Sequence, residues 1–163
     1  LRQGVPFYAQ SQEFTWLDMG QLTDFLACQK ETLRGACPNF EFNARQVRPD
    51  LWVGHNTRIN LENVTIEGPV YIEGNCQIDD GAVIIGPSYI GPGCHLEGGS
   101  IVESVYLDRY RRIASGNRLE QITLYGDYIV QESGEYELLQ LSETEIADAR
   151  TEAESAQSLK KRA

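Results

Sequence analysis

The sequence predicts a mainly β protein whose central part is a parallel β-helix made of six-residue repeats. The first observation is an apolar, usually branched residue that returns every six positions, with one residue inserted after the third. The second is a small residue four positions after many of these, for example Cys76, Ala82 and Cys94. A six-residue period fits neither an α-helical turn nor a strand alternation, but it fits a short strand followed by a corner. The apolar series is Val47, Val53, Ile59, Ile66, Ile72, Ile78, Ile84, Ile90, Leu96 and Val102.

Residues 47–107 are therefore expected to wind into triangular coils. Three repeats make a coil of roughly 18 residues, and successive coils stack at the strand spacing of roughly 4.8 Å. Each apolar residue then points into the prism above its counterpart in the previous coil, and the small residue fills a tighter interior position. Glycines such as Gly91 and Gly93 allow the positive φ angles that corners require.

The hand of the coil does not follow from the period, because parallel crossovers are normally right-handed. The repeats resemble those of hexapeptide-repeat proteins, which are the known exception to that rule. This resemblance implies a left-handed parallel β-helix.

Before the repeats, the sequence predicts one helix and two short strands. Apolar residues fall on roughly one face of a helix over 21–34, which Gly35 ends. Aromatic residues at 7–8 and 14–17 predict the strands. Residues 36–46 are expected to form a linker that leads into the coils.

After the repeats, the sequence predicts a change of structure. The repeat breaks at Asp108, and residues 108–140 are expected to form irregular closing strands that turn around Gly126 and Gly134. A C-terminal helix is predicted over 141–163, because a capping-box pattern precedes a stripe of alanines and a basic last turn.

The composition is that of an ordinary water-soluble protein with an acidic surface. Its 24 acidic and 14 basic side chains give a formal charge of −10, which repels the phosphate backbone of nucleic acids. No apolar run approaches the roughly 20 residues of a membrane span, and the start of the chain lacks the apolar core of a signal peptide. We therefore expect a cytoplasmic protein with neither nucleic acid nor a membrane as partner.

The four cysteines show no CxxC spacing, so we expect reduced thiols. Cys76 and Cys94 are separated by three full repeats, which is one coil, and both take the small interior position. Their Cα atoms should stack at about 4.8 Å, within reach of a disulfide. Burial as two unbonded small side chains is the alternative, and a reducing cytoplasm favours it.

A motif that could carry chemistry lies near the N-terminus. The segment Trp16-Leu17-Asp18-Met19-Gly20 leads from the second predicted strand into the predicted helix. This order places Asp18 at the carboxyl end of a strand, where α/β sheets hold ligands and metals. A turn former or a helix N-cap is the alternative role for the same aspartate.

The motif resembles the W-x-D-x-G segment that closes the catalytic domain of nucleoside-diphosphate-sugar pyrophosphorylases. These are sugar-1-phosphate nucleotidyltransferases of the glucose-1-phosphate and mannose-1-phosphate type. In that family a helix, a linker and a hexapeptide β-helix follow the motif, in the order predicted here, so the resemblance covers about three-quarters of the chain. It implies that residues 1–35 are the remnant of an α/β nucleotidyltransferase domain and that the chain is a C-terminal part of such an enzyme.

For the complete enzyme, the resemblance implies nucleotide-sugar biosynthesis from a hexose-1-phosphate and a nucleoside triphosphate (NTP), with release of pyrophosphate. It implies that Asp18 helps to hold the Mg²⁺ that bridges the phosphates of the two substrates. Mg²⁺ is a hard cation and prefers oxygen ligands such as a carboxylate. The family's Gly-rich loop G-G-x-G-T-R-L and its sugar-phosphate lysine have no match here. We therefore expect an inactive fragment whose β-helix is a scaffold that forms homo-oligomers through its faces.

Two other functions fit the repeats, namely a hexapeptide-repeat acyltransferase and a non-catalytic interaction module. The acyltransferase needs a histidine facing a groove between subunits, and His95 is the candidate. The γ-class carbonic anhydrases of this fold bind zinc through three histidines, whereas this sequence has two, His55 and His95. They lie two coils apart, and a gap of roughly 10 Å is too long for a shared zinc ion with bonds of about 2 Å. We expect both to be ordinary surface or corner residues.

Overall fold

The chain passes from one short helix into stacked coils of short strands. The computed structural model describes residues 8–14, 16–140, 142 and 145–150. Helix α1 spans Leu22–Leu33. The strands are, in chain order, β1 Arg45–Arg48, β2 Leu51–Val53, β3 Arg58–Ile59, β4 Thr65–Glu67, β5 Val70–Ile72, β6 Gln77–Ile78, β7 Val83–Ile85, β8 Ser88–Ile90, β9 His95–Leu96, β10 Ile101–Glu103, β11 Tyr106–Leu107, β12 Arg111–Ile113, β13 Arg118–Glu120, β14 Ile122–Tyr125, β15 Tyr128–Gln131, β16 Tyr136–Leu138 and β17 Ile146–Asp148.

The described strands form three sheets, which are the sides of a prism. Sheet A has the order β1-β2-β5-β8-β11-β14-β15-β16, sheet B has β17-β12-β9-β6-β3, and sheet C has β13-β10-β7-β4. From coil to coil the neighbours are parallel, as β5 with β8 in sheet A and β7 with β10 in sheet C. These parallel sheets fit a left-handed β-helix, and the predicted fold class is confirmed.

The interior of the prism is filled by the residues that the six-residue period singles out. In sheet C, Ile66, Ile84 and Val102 stack directly above one another. At the corners the coils approach so closely that a Cβ on Gly91 would lie 2.5 Å from the carbonyl oxygen of Leu107. The fully buried side chains include Leu51, Val70, Ile72, Ile84, Ile90, Leu96, Val102, Leu107, Ile113 and Leu124.

The sequence separation between stacked residues shortens along the chain. Ile59 pairs with Ile78, one residue beyond three full repeats, and Ile72 pairs with Ile90 after three full repeats. Ile90 in turn pairs with Leu107, one residue short of three repeats. One residue is therefore missing from a corner of the coil that ends at Leu107, and the stack absorbs the change without losing its register.

The predicted break at Asp108 is wrong, because the parallel ladders continue past it. β12 pairs with β9 and places Ile113 over Leu96. β13 pairs with β10 and places Leu119 over Val102. The regular coils thus extend beyond residue 107, since a corner shortened by one residue moves every later interior position by one.

Both ends of the prism carry antiparallel strands. β1 runs antiparallel to β2 at the start of sheet A. At the other end β14, β15 and β16 form an antiparallel meander that turns at Gly126 and Gly134, where φ is 54° and 87°. The closing strands predicted around these two glycines are confirmed. β17 runs antiparallel to β12 at the end of sheet B.

The helix predicted over 141–163 is wrong at its start, since Ile146–Asp148 is strand β17. The edge of β12 offers backbone partners, and Ile146 and Ala147 are buried there, with 8% and 6% of their surface exposed. This pairing and burial outweigh the local capping pattern and the helix propensity of the alanines. Residues 151–163 of the predicted helix lie outside the described residues.

The described N-terminal residues include the predicted helix, and none of them forms a strand. α1 confirms the helix expected over 21–34, and it buries Leu26, Cys28 and Leu33. Tyr8, Phe14, Trp16 and Leu17 belong to no strand, while Phe7 and Thr15 lie outside the described residues. Backbone groups of a strand need a neighbouring strand, and none of the described strands lies beside this mostly exposed segment. No helix in the described part of the chain is long and apolar enough to cross a membrane.

Candidate functional site

Asp18, the predicted metal ligand, lies on an exposed segment just before α1. Its backbone carbonyl accepts a hydrogen bond from the Cys28 thiol at 3.8 Å. Because the described residues around it form no strand, Asp18 does not end one, contrary to the prediction. The alternative of a helix N-cap is also wrong, since Gln21 is the N-cap and donates its N–H to the Asp24 carboxylate at 3.0 Å.

A Mg²⁺ site needs several oxygen ligands around one point. Within the described ranges, no three His, Cys, Asp or Glu side chains are grouped so that they could hold a metal ion. Asp18 supplies one such ligand at most, so the described part of this chain does not form a magnesium site by itself. The role of Asp18 toward Mg²⁺ stays a prediction about a longer protein.

An apolar cavity lies where α1 and the linker cross the outer face of sheet A. It is a cavity of about 520 Å³, and the residues next to the motif, Leu17 and Met19, form part of its wall. Two cysteines also line it, the buried Cys28 and the half-buried Cys37. The other lining side chains that matter chemically are Phe25, Phe40, Phe42, Tyr71, Tyr89, Glu41 and Glu73.

The floor of the cavity is part of an aromatic ladder on sheet A. Tyr71 stacks on Tyr89 with ring centroids 5.6 Å apart, and Tyr89 stacks on Tyr106 at 4.6 Å. Phe42 from the linker packs on Tyr71 at 5.1 Å, and Phe25 from α1 makes a T-shaped contact with Tyr106 at 6.0 Å. These ring contacts hold the helix and the linker against the β-helix.

Glu73 places a negative charge beside this ladder. Its carboxylate accepts a hydrogen bond from the Tyr89 hydroxyl at 2.9 Å. Burial and then the charge of Glu73 raise the pKa of Tyr71. Burial and the hydrogen bond to Glu73 raise the pKa of Tyr89 as well. Both phenols therefore stay neutral at any physiological pH.

The two histidines lie apart, as expected. His55 is exposed at a corner, where its ring packs close to Gly74. His95 is half-buried on the outer face of sheet B, with its Nε2 2.8 Å from an Asp79 oxygen and 3.2 Å from the Gln77 amide. Burial works against ionisation of Asp79, but hydrogen bonds from Gln77 and His95 outweigh it and lower the pKa of that carboxyl. His95 is thus part of a polar network rather than a plain corner residue.

The stacked cysteines occupy the interior positions predicted for them. Cys76 and Cys94 are each 1% exposed, and both are free thiols. Cys76 donates to the carbonyl of Gly91 at 3.1 Å, and Cys94 to that of Asp108 at 3.0 Å. Burial raises the pKa of the Cys76 thiol to about 11, and it raises the pKa of Cys94 further. Both thiols are protonated fillers of the prism.

The aromatic ladder and Glu73 were not predicted, although the sequence holds a signal for the ladder. Tyr71, Tyr89 and Tyr106 each precede an interior residue and recur once per coil, so they share one outer row of sheet A. The cavity above them depends on where α1 and the linker cross that row. No local pattern gives the crossing point.

Comparison with known proteins bears on the resemblance inferred from the motif and the repeats. No protein-family model matches the chain. The chain is 37% identical over 131 residues to a UTP–glucose-1-phosphate uridylyltransferase from Synechocystis sp.. The aligned residues make up 80% of this chain and 34% of the relative. The chain therefore spans about a third of the length of that enzyme. With the β-helix, this similarity confirms the predicted resemblance: over most of its length the chain is a homologue of a sugar-1-phosphate nucleotidyltransferase.

Proposed function

We propose that this chain is the β-helix part of a cytoplasmic sugar-1-phosphate nucleotidyltransferase and acts in it as a scaffold. The complete enzyme joins a hexose-1-phosphate to the nucleotidyl group of an NTP and releases pyrophosphate. The observation that carries the proposal is the 37% identity over 131 residues to a UTP–glucose-1-phosphate uridylyltransferase. The name of that relative makes UTP and glucose 1-phosphate the first substrate pair to test.

The packing of the described residues supports a scaffold role. The prism is filled with side chains such as Ile84 and Leu107, both 0% exposed, so its interior leaves no room for a substrate. Close-packed interiors are stiff and hold attached elements in fixed positions. α1 and the linker are attached in this way through Phe25 and Phe42.

The proposed reaction explains why this chain alone should be inactive. A sugar phosphate attacks the α-phosphorus of the NTP and pyrophosphate leaves, so the protein supplies positioning and charge neutralisation. The Gly-rich loop and the lysine expected to grip the phosphates have no match in this sequence. Asp18 is the residue through which the chain contributes to the centre, and Mg²⁺, when bound, neutralises the clustered phosphates.

An assay of pyrophosphate release tests the proposal. We expect a longer protein that contains this chain to release pyrophosphate from UTP and glucose 1-phosphate in the presence of Mg²⁺. The 163-residue chain alone should release none under the same conditions. Turnover by the isolated chain would contradict the scaffold role. A longer protein inactive with every tested pair of hexose-1-phosphate and NTP would contradict the reaction.

We also propose that identical chains assemble through the outer face of sheet C. The central residue of each strand points into the prism, so its two neighbours point outward. Val83, Ile85 and Ile101 therefore form a half-buried apolar strip on this face. Beside the strip, Arg118 lies 2.9 Å from Glu103. This face therefore carries a positive and a negative side chain, as a contact between two identical surfaces requires. Sheet A is covered in part by α1, and sheet B carries the polar network of His95.

Replacing Ile101 by lysine should convert the assembly into a monomer, because it puts a charge into the apolar strip. Light scattering at micromolar concentrations measures the change. The control is Gln131→Lys, which adds the same charge at an exposed position of sheet A and should leave the oligomer intact. A monomeric wild-type chain would refute the assembly, and an oligomeric Ile101→Lys variant would refute this face.

A further inference from the structure

The outer face of sheet A continues from the coils into the closing meander. Thr123 of β14 pairs with Tyr106, and Val130 of β15 pairs with Thr123, so these side chains share one outer row. Thr123 and Val130 are buried, with 5% and 2% of their surface exposed. Thr123 lies in a small cleft with Leu26 and Lys30 of α1. The helix therefore covers the first row of the meander.

The next row of the meander is apolar and exposed. Tyr125 pairs with Tyr128, and Tyr128 pairs with Leu138, so all three lie on the outer face. Tyr136 pairs with Val130 and lies on the same face, where its ring is 5.7 Å from that of Tyr128. These side chains are called the tyrosine face, and 43–70% of their surface is exposed: Tyr125, Tyr128, Tyr136 and Leu138. Contiguous exposed apolar surface marks an interaction site.

The tyrosine face adjoins the start of α1. In the turn between β15 and β16, Glu132 forms an ion pair with Lys30 of the helix. In the same turn, a Cβ on Gly134 would lie 2.9 Å from the Thr23 methyl carbon. The meander and the first turn of α1 are therefore in contact, and the exposed face continues an interface that already exists within the chain.

The segment that leads into α1 is also exposed and apolar. Leu22 at the start of the helix is 39% exposed, and Phe14 and Trp16 before it are 72% and 74% exposed. Trp16 belongs to the motif that resembles the end of a nucleotidyltransferase catalytic domain. The aligned residues are 34% of the uridylyltransferase relative, so most of that enzyme lies outside the alignment. Uncovered apolar side chains thus occur on the meander and on the segment that resembles the end of that domain.

We infer that the tyrosine face is the docking surface for the rest of the nucleotidyltransferase domain in the complete enzyme. The inference rests on the proposed function, which makes this chain part of a longer protein. Contact with both the segment before α1 and the meander lets that domain bury apolar side chains on each. Sheet A is then the side of the prism between domains, and sheet C the side between copies.

Hydroxyl-radical labelling of the tyrosines tests this contact. We compare the complete enzyme with the 163-residue chain and expect labelling of Tyr125, Tyr128 and Tyr136 to fall at least about fivefold in the complete enzyme, as side chains enter an interface core. Equal labelling in the two proteins would overturn the inference. So would protection of the isolated chain, either by a second copy, if it grows with concentration, or by another segment of the chain, if it does not. The labelling needs no substrate, so a complete enzyme without turnover would contradict the proposed reaction and not this contact.

A pair of variants assigns the protection to this face. In the complete enzyme, Leu138→Asp should restore the labelling of Tyr128 to its level in the isolated chain, because an apolar interface core excludes a charge. Gln131→Asp is the matched control, since Gln131 is exposed on the opposite face of β15, and it should leave Tyr128 protected. Thermal unfolding checks that both variants are folded. Persistent protection of Tyr128 in folded Leu138→Asp would place the contact elsewhere and overturn this surface.

Discussion

Replacing Leu107 by alanine should lower the free energy of unfolding by about 2–5 kcal/mol. Leu107 is 0% exposed and lies in the stack between Ile90 and Leu124. The substitution removes apolar contacts and leaves a cavity, and stacked parallel strands can close it only by shifting their neighbours. Denaturant unfolding followed by circular dichroism measures the loss through the transition midpoint.

Leu138→Ala is the matched control for this loss. Leu138 is 68% exposed on β16, so the same substitution should change the free energy of unfolding by less than about 0.5 kcal/mol. The comparison also tests the shortened corner. If Leu107→Ala were as mild as Leu138→Ala, Leu107 would not be an interior residue and the repeat would end before it.

In the complete enzyme, Asp18→Asn should lower turnover by a factor on the order of 10², roughly 2.7 kcal/mol of barrier. The substitution keeps the size of the side chain and removes the charge that the proposed role needs beside Mg²⁺ and the phosphates. Because Asp18 is exposed and does not cap α1, the stability of the protein should not change. Pyrophosphate release across a magnesium titration gives the result. A wild-type rate with an unchanged magnesium dependence would remove Asp18 from the metal site.

Asp24→Asn is the control that separates chemistry from folding. The Asp24 carboxylate accepts the N–H of Gln21 at the start of α1, so losing its charge should lower stability by up to about 1 kcal/mol. Turnover should stay near that of the wild type. Asp18→Asn is thus expected to lower turnover and to leave stability unchanged, whereas Asp24→Asn is expected to lower stability and to leave turnover unchanged.

The coils could be predicted because their interior repeats are local and strict. The period of six residues identified Ile72, Ile78 and Ile84 as interior positions, and a separation of three full repeats placed Cys76 next to Cys94. The end of the β-helix could not be predicted in this way. When positions are counted in steps of six, a corner that is one residue short looks like the end of the repeat. In the structure the stack continues, because Leu107 pairs with Ile90 of the coil before it.

Other features depend on distant partners, which a local pattern does not contain. The segment from Ile146 has helix signals, but the edge of β12 pairs with it as a strand. Phe14 and Trp16 have strand signals, but no described strand lies beside them. For Asp18, the motif gives the residue type and not its surroundings. The aromatic cavity lies where α1 crosses sheet A, a geometry set by the contact of Phe25 with Tyr106.

The reversed strands at the two ends of the prism limit how the protein can aggregate. A parallel β-helix has open edges at both ends, and such edges can recruit further copies into fibrils. On sheet A the outermost strands are β1 and β16, and on sheet B the strand after the last coil is β17. β1 and β17 run against the coil strands that they cover, so an incoming chain cannot continue the spiral there in its own direction. Head-to-tail growth into a filament is disfavoured, and association is left to the sides of the prism.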